Sequence, residues 1–245
     1  MRLKCLACEA LARPVYLCAA WSPHTVDVEL FRLGWHDDPP DLRARLQAAV
    51  DAAQGYDALT LAYGLCGKST EGLIARDAPL VIPRAHDCIT LFLGSRARYD
   101  DQFQTHAGTY WYVLDYVERA RDKGTALSTG AEMNGDIRAV YDEYVAKYGR
   151  DNADYLMEVM GAWQQYYNRA AFIEMGVGDN AHIEAQTRNE AERRGWTFDR
   201  LDGDLVLIRR LLNGDWSDDF LVVEPGQRIA MAYDERVVIP AADAH

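Results

Sequence analysis

Apolar and polar positions along this chain alternate between two periods. Short runs rich in Val, Leu, Ile, Tyr and Phe at 2–7, 26–31, 57–63, 79–85, 109–113, 171–175, 198–202 and 219–224 predict β-strands. Segments with apolar residues three or four apart predict helices over 40–53, 69–76, 99–105, 112–122, 136–148, 151–169, 182–195 and 204–212. In DLRARLQAAVDAAQ, for example, Leu42, Leu46 and Val50 fall on one helical face, and Asp41 after Pro39-Pro40 supplies a start. Gly149 and Gly195 stand where helices should stop, and Gly226 follows Pro225 after the apolar FLVV. Strands alternating with helices argue for an α/β protein: a mainly parallel, Rossmann-like sheet with helices on both faces. Ligands of such sheets bind outside the carboxyl ends of the strands.

The segment 124–135, GTALSTGAEMNG, is rich in Gly, Ser, Thr and Asn and reads as a loop or linker. It separates an N-terminal half, 1–123, that carries every cysteine from a C-terminal half, 136–245, that carries none. Each half has its own strand–helix units, so two similar α/β halves are expected. A chain of 245 residues can bury one large core or two small ones.

Net charge narrows the partners. With 26 basic against 38 acidic residues, a formal charge of −12, the chain repels nucleic acid and anionic membrane alike. The opening MRLKCLACEALARPVYLCAA has the basic start and small-residue end of a secretory signal, but Glu9 and Arg13 interrupt its apolar run. It reads as the first strand of a cytoplasmic domain.

In a reducing compartment the five cysteines are expected to be thiols, ligands or redox groups and not disulfides. Cys5 would point into the core from the first strand, and Cys18 in VYLCAAW reads as a small buried hydrophobe. Cys8, Cys66 and Cys88 are different, because each follows a predicted strand. In the extended Pro83-Arg84-Ala85-His86-Asp87-Cys88, residues at i and i+2 share a face, so His86 and Cys88 could bind one ion while Asp87 points elsewhere. Gly64 and Gly67 flank Cys66 and let backbone approach a bound group closely. Thiolate and imidazole are ligands for zinc or an iron–sulfur cluster. Arg84 and Lys68 could grip an anionic small-molecule substrate, and Asp87 could orient a ligand or act as base.

The same stretch admits a second reading. Ala62-Tyr-Gly-Leu-Cys-Gly-Lys68-Ser69 matches a relaxed P-loop, with Lys68 on phosphates and Ser69 on magnesium. Its first Gly is missing, and no later strand ends in an obvious carboxylate for the metal. No nucleophile elbow G-x-S-x-G and no G-x-G-x-x-G are present either.

Taken together, CLACEALARPVY, LAYGLCGKSTEGL, VIPRAHDCITLFLGSRARY, GTYWY and LDGDLVLIRRLLNGDWSDDFLVVEPGQRI resemble the uncharacterised domain-of-unknown-function family numbered 1638. The YG-x-CG and PR-x-HDC motifs carry the resemblance most specifically. It implies no established reaction, but it does imply an association with corrinoid-dependent methyltransferase components. The family's opening resembles C-G-A-L-A-R, where Glu9 here replaces the Gly after Cys8.

The expectation is therefore a metal-dependent cytoplasmic enzyme with ligands Cys8, Cys66, Cys88 and His86, holding zinc for thiol or methyl transfer linked to one-carbon metabolism. A three-cysteine [4Fe–4S] cluster whose open iron acts as Lewis acid is an alternative. So are an accessory module for a corrinoid protein and a P-loop-like nucleotide binder.

Overall fold

The computed structural model describes residues 1–119 and 167–242, and its backbone divides into two compact units interleaved along the chain. Unit 1 takes Met1–Asp100, Met175–Val177 and the chain from Gly203 onward. Unit 2 takes Asp101–Glu174 and Gly178–Asp202. The linker 124–135, the helix 136–148 and nearly all of the helix 151–169 lie outside the described residues, as do Tyr155, Trp163 and Tyr166.

Unit 1 is built on a five-stranded sheet in the order β2-β1-β3-β4-β8. Its strands are β1 (Arg2–Cys8), β2 (Thr25–Phe31), β3 (Ala58–Ala62), β4 (Leu80–Pro83) and β8 (Phe220–Val223), and only β8 runs antiparallel. Helix α1 (Ala12–Trp21) links β1 to β2, and α2 (Pro39–Asp51) then carries the chain past β1 to β3. The order therefore reverses between β1 and β3, and their carboxyl ends form the topological switch point where such sheets bind ligands.

Side-chain alternation divides the two faces. Leu6, Leu59, Leu61, Leu80 and Ile82 pack with Leu42, Leu46 and Val50 of α2, as the helical spacing predicted. Each such fully buried aliphatic contributes roughly 1.5–3 kcal/mol. The Asp38 carboxylate accepts from the Asp41 amide and caps α2, with two prolines in its first turn. On the other face α1 packs with α7 (Val206–Leu212). A hairpin of β9 (Gln227–Met231) and β10 (Val238–Ala242) completes unit 1.

One helix expected from the sequence is absent. Residues 69–76 form turns and an extended stretch, because β9 captures their backbone: Gly72 donates to Ile229, Ala75 to Gln227, and Ile229 back to Leu73. Two helices had no cue at their starts or period. The α1 N-terminus has Leu11 at the cap with no side-chain bond, and α3 (Cys88–Leu93) is six residues long and apolar but for Thr90, too short to show a helical period.

Unit 2 is a parallel three-stranded sheet of β5 (Thr109–Tyr112), β6 (Arg169–Glu174) and β7 (Thr197–Asp202), in that order. Helix α4 (Arg96–Thr105) runs into it, followed by α5 (Leu114–Arg119), and α6 (Ala181–Arg194) packs on β6 and β7. Its core gathers Tyr110, Tyr112, Phe172 and Ile183, with Tyr167 and Trp196 against Tyr110. These aromatics form a core. The buried Arg169 guanidinium donates to Asp199, Gln102 and Thr109.

Candidate metal centre

The register of the sheet delivers three thiols to the switch point. β1 and β3 pair from Leu3 opposite Ala58 to Ala7 opposite Ala62, so Cys8 and Tyr63 leave the sheet side by side. Beyond β3 and β4 the chain segments stay bonded, Leu65 donating to the Ala85 carbonyl and Cys66 to that of His86, which carries Cys66 to the segment before Cys88. Gly64 makes that approach possible. A methyl group there would stand 2.7 Å from the Asp87 amide nitrogen and Cα, a distance no real Cβ tolerates.

Cys66, Gly67 and Lys68 then run through the left-handed region in succession, with φ of 44°, 62° and 73°. For Cys66 and Lys68 this costs about 1–2 kcal/mol each. The turn is held by Ser69, whose amide and hydroxyl both donate to the Cys66 carbonyl, and by Arg43, which donates to the Lys68 carbonyl. Strain of this kind persists where surroundings fix it, and it gathers at functional sites.

The thiols interact. Burial is the largest cause raising Cys66, followed by Cys8 and Asp87, and Cys88 is raised well above its ordinary value by burial, then Cys66, Asp87 and Cys8. Burial pushes Cys8 up to about 11. All three residues keep part of their surface open, so the sulfurs lie deep while the site remains approachable. Backbone N–H groups of Gly64 and Cys88 offset part of the shift at Cys66. Burial therefore keeps these thiols protonated, and a bound metal is the kind of cation that would let them ionise together.

Tyr63 supplies a second sign. It is 2% exposed and its hydroxyl makes no hydrogen bond. The groups that raise it after burial are Cys8, Cys66, Cys88 and then Cys5, with Cys8 close enough to draw on the hydroxyl without forming a well-made bond. A buried hydroxyl without a partner costs about 1–3 kcal/mol, so its presence among three thiols fits a polar occupant there. The donor set, three thiols and one hydroxyl, suits zinc or a cluster. Among the described residues no three His, Cys, Asp or Glu side chains are gathered tightly enough to enclose an ion. Protonated thiols gain nothing by converging, since ligation requires deprotonation first.

The remaining expected residues divide between this site and a neighbouring cleft. Residues 86–88 are not one extended strand: Asp87 caps α3, its carboxylate accepting from the Ile89 amide at 3.0 Å and from the Tyr99 hydroxyl at 3.0 Å. Burial raises the Asp87 carboxyl despite those bonds. His86 is exposed, lies 6.4 Å from the Tyr99 ring in a tilted arrangement and lines a cleft of about 420 Å³ together with Arg84, Thr90, Arg96 and Val237. The Arg84 guanidinium donates to the Arg236 and Val238 carbonyls. Lys68 is exposed on its turn, and the helix that a P-loop requires after it is replaced by turns. Cys5 and Cys18 are buried on the α1 face, as expected, and Cys5 is raised to about 12 by burial.

Sequence reasoning assigned no role to Tyr63 and Tyr99. Tyr63 could have been found from the period of two, which puts it on the Cys8 face of the sheet. Tyr99 carries no such signal, because its contact with Asp87 spans two helices.

Fold and site together define a doubly wound α/β protein with a thiol-lined switch point. The chain belongs to the family described as protein of unknown function (DUF1638), whose model matches residues 30–212. The match takes in Cys66, His86 and Cys88, while Cys8 lies before it. Searches among curated proteins and among solved structures found no match. No helix among the described residues is long and apolar enough to cross a membrane.

Proposed function

We propose that this protein is a metal-dependent cytoplasmic enzyme whose centre is held by Cys8, Cys66 and Cys88, with a fourth position open to substrate. The observation that carries this reading is that Cys8, Cys66 and Cys88 follow one another at the ends of β1, β3 and β4, beside a buried Tyr63 hydroxyl that makes no hydrogen bond. Bound zinc, or the open iron of a [4Fe–4S] cluster, supplies Lewis acidity and lowers the pKa of a thiol brought to it. Thiol or methyl transfer linked to one-carbon metabolism is the chemistry this suits, with a corrinoid protein as the partner class that the family resemblance brings.

The chain's own residues have separable tasks. Cys8, Cys66 and Cys88 bind, and the amides of Gly64 and Cys88 hold the Cys66 sulfur. Asp87 fixes the start of α3 and thereby the direction of Cys88, with Tyr99 holding the carboxylate. Tyr63 excludes water from below and offers a hydroxyl to the bound group. His86, on the cleft, is a neighbour of the centre and not a member of it. The partly open thiol site also favours an enzyme over a module in which metal merely stiffens the fold, since structural sites are closed.

Anaerobic purification with element analysis tests the proposal. Stoichiometric zinc, or iron with sulfide, is expected in the wild type and lost in Cys66→Ser. Wild-type protein free of both metals, after expression with both supplied, contradicts it.

A further inference from the structure

We infer that the cleft beside the thiol site binds one oxyanionic group of a small substrate, a carboxylate or a phosphate monoester, on the free edge of the Arg84 guanidinium. The inference deepens the enzymatic reading by naming the substrate class. Anion binding itself does not depend on the metal.

Arg84 differs from every arginine around it. Arg96 pairs with Asp219, Arg210 with Asp215 and Asp219, and Arg236 with Asp234. Arg84 has no carboxylate within 4 Å among the described residues. Only its Nη1 is committed, to the carbonyls of Arg236 and Val238, which leaves Nε and Nη2 without a partner there. A half-buried guanidinium presents these two donors in the parallel geometry that matches two oxygens of one anion. Burial and the charges of Arg96 and Arg236 lower the Arg84 pKa, so the surroundings favour the arrival of negative charge.

The rest of the cleft agrees and sets a limit. His86 and Thr90 add donors along the same wall. Asp219 is neutralised by two arginines, but the exposed Asp100 and Glu235 also border the cleft. Those carboxylates repel a polyphosphate while leaving one anionic group tolerable beside Arg84. A volume of about 420 Å³ lies at the small-molecule end of ligand pockets. The cleft therefore suits a small organic acid or monophosphate and not a nucleotide triphosphate.

Calorimetric titration of the purified protein with acetate, inorganic phosphate and ATP tests this, in wild type, Arg84→Gln and His86→Ala. Wild type should bind acetate or phosphate, and whichever binds identifies the oxyanion. Affinity should fall about tenfold in Arg84→Gln, the loss expected for a charge-assisted pair, and a few-fold in His86→Ala. Because Arg84 also anchors the hairpin, Arg84→Lys serves if Arg84→Gln fails to fold. It keeps the charge, loses the fork, and should still weaken binding several-fold. Binding unchanged in the Arg84 variant that folds, binding of neither small anion, or preferential binding of ATP overturns the inference. Metal content measured on the same samples separates the two readings. Lost anion binding with metal intact sinks the cleft alone, and anion binding by a wild type without metal sinks the centre alone.

Discussion

The two units solve the same problem with opposite results at their strand ends. In unit 2 the carboxyl edge is closed by ordinary pairing: Glu174 accepts from Asn180 and meets Arg200, and Asp202 pairs with the same arginine. In unit 1 the corresponding edge carries three buried-sulfur cysteines, an unpartnered tyrosine and a left-handed turn. Among the described residues, all three non-glycine residues with positive φ, Cys66, Lys68 and Val237, belong to unit 1. One parallel sheet uses its edge for stability, and the other leaves its edge unsatisfied. That asymmetry locates the chemistry.

The largest effect should come from removing a ligand. Cys66→Ser should abolish metal content and lower the melting temperature by roughly 6–12 °C, equivalent to the roughly 3 kcal/mol that tight metal binding adds to the native state. Chelation of the wild type should do the same, and chelator should then have no effect on the variant. Calorimetric scans decide. An unchanged melting curve in wild type after confirmed metal loss would remove these thiols from any structural metal role.

Gly64→Ala against Gly195→Ala compares the tight carboxyl edge of unit 1 with an uncrowded helix end in unit 2. The first methyl collides with the Asp87 backbone at 2.7 Å and should cost about 3 kcal/mol together with metal content. The second meets nothing within 4 Å and bears only its positive φ of 68°, about 1 kcal/mol, with metal intact. Equal costs at both sites would mean that the Gly64 contact is not tight. Between them in effect lies Arg169→Leu, which frees Gln102 and Thr109 and leaves Asp199 half-exposed. It should lower stability by about 2 kcal/mol without touching the metal.

The smallest effect is in pH. Cys8 is raised from 9.0 to about 11 in the native fold, so in metal-free protein its contribution is full below pH 9 and is lost as pH rises through about 11. Metal-free protein should lose stability across that window in chemical denaturation. Metal-loaded protein should not, because its ligands are already ionised. Parallel curves for the two forms would place Cys8 outside the centre.

Much of this was legible before the coordinates. Every expected strand formed, because period two and β-branched composition survive into buried parallel strands. The placement of Cys8, Cys66 and Cys88 after strands followed from that. What stayed hidden was non-local. The helical pattern at 69–76 yielded to backbone pairing with β9, more than 150 residues later. His86 lines the cleft while Asp87 caps α3, which converts a strand-like H-x-C into a turn. The free edge of Arg84 depends on where the hairpin turn and β10 present the Arg236 and Val238 carbonyls, and no local pattern encodes that.

X-ray absorption at the metal edge of anaerobically purified protein tests the central claim most directly. The account predicts sulfur scatterers at about 2.3 Å around zinc or iron, with amplitude falling when Cys8, Cys66 or Cys88 is replaced by serine. A first shell of oxygen and nitrogen alone, or a sulfur shell indifferent to all three replacements, contradicts it.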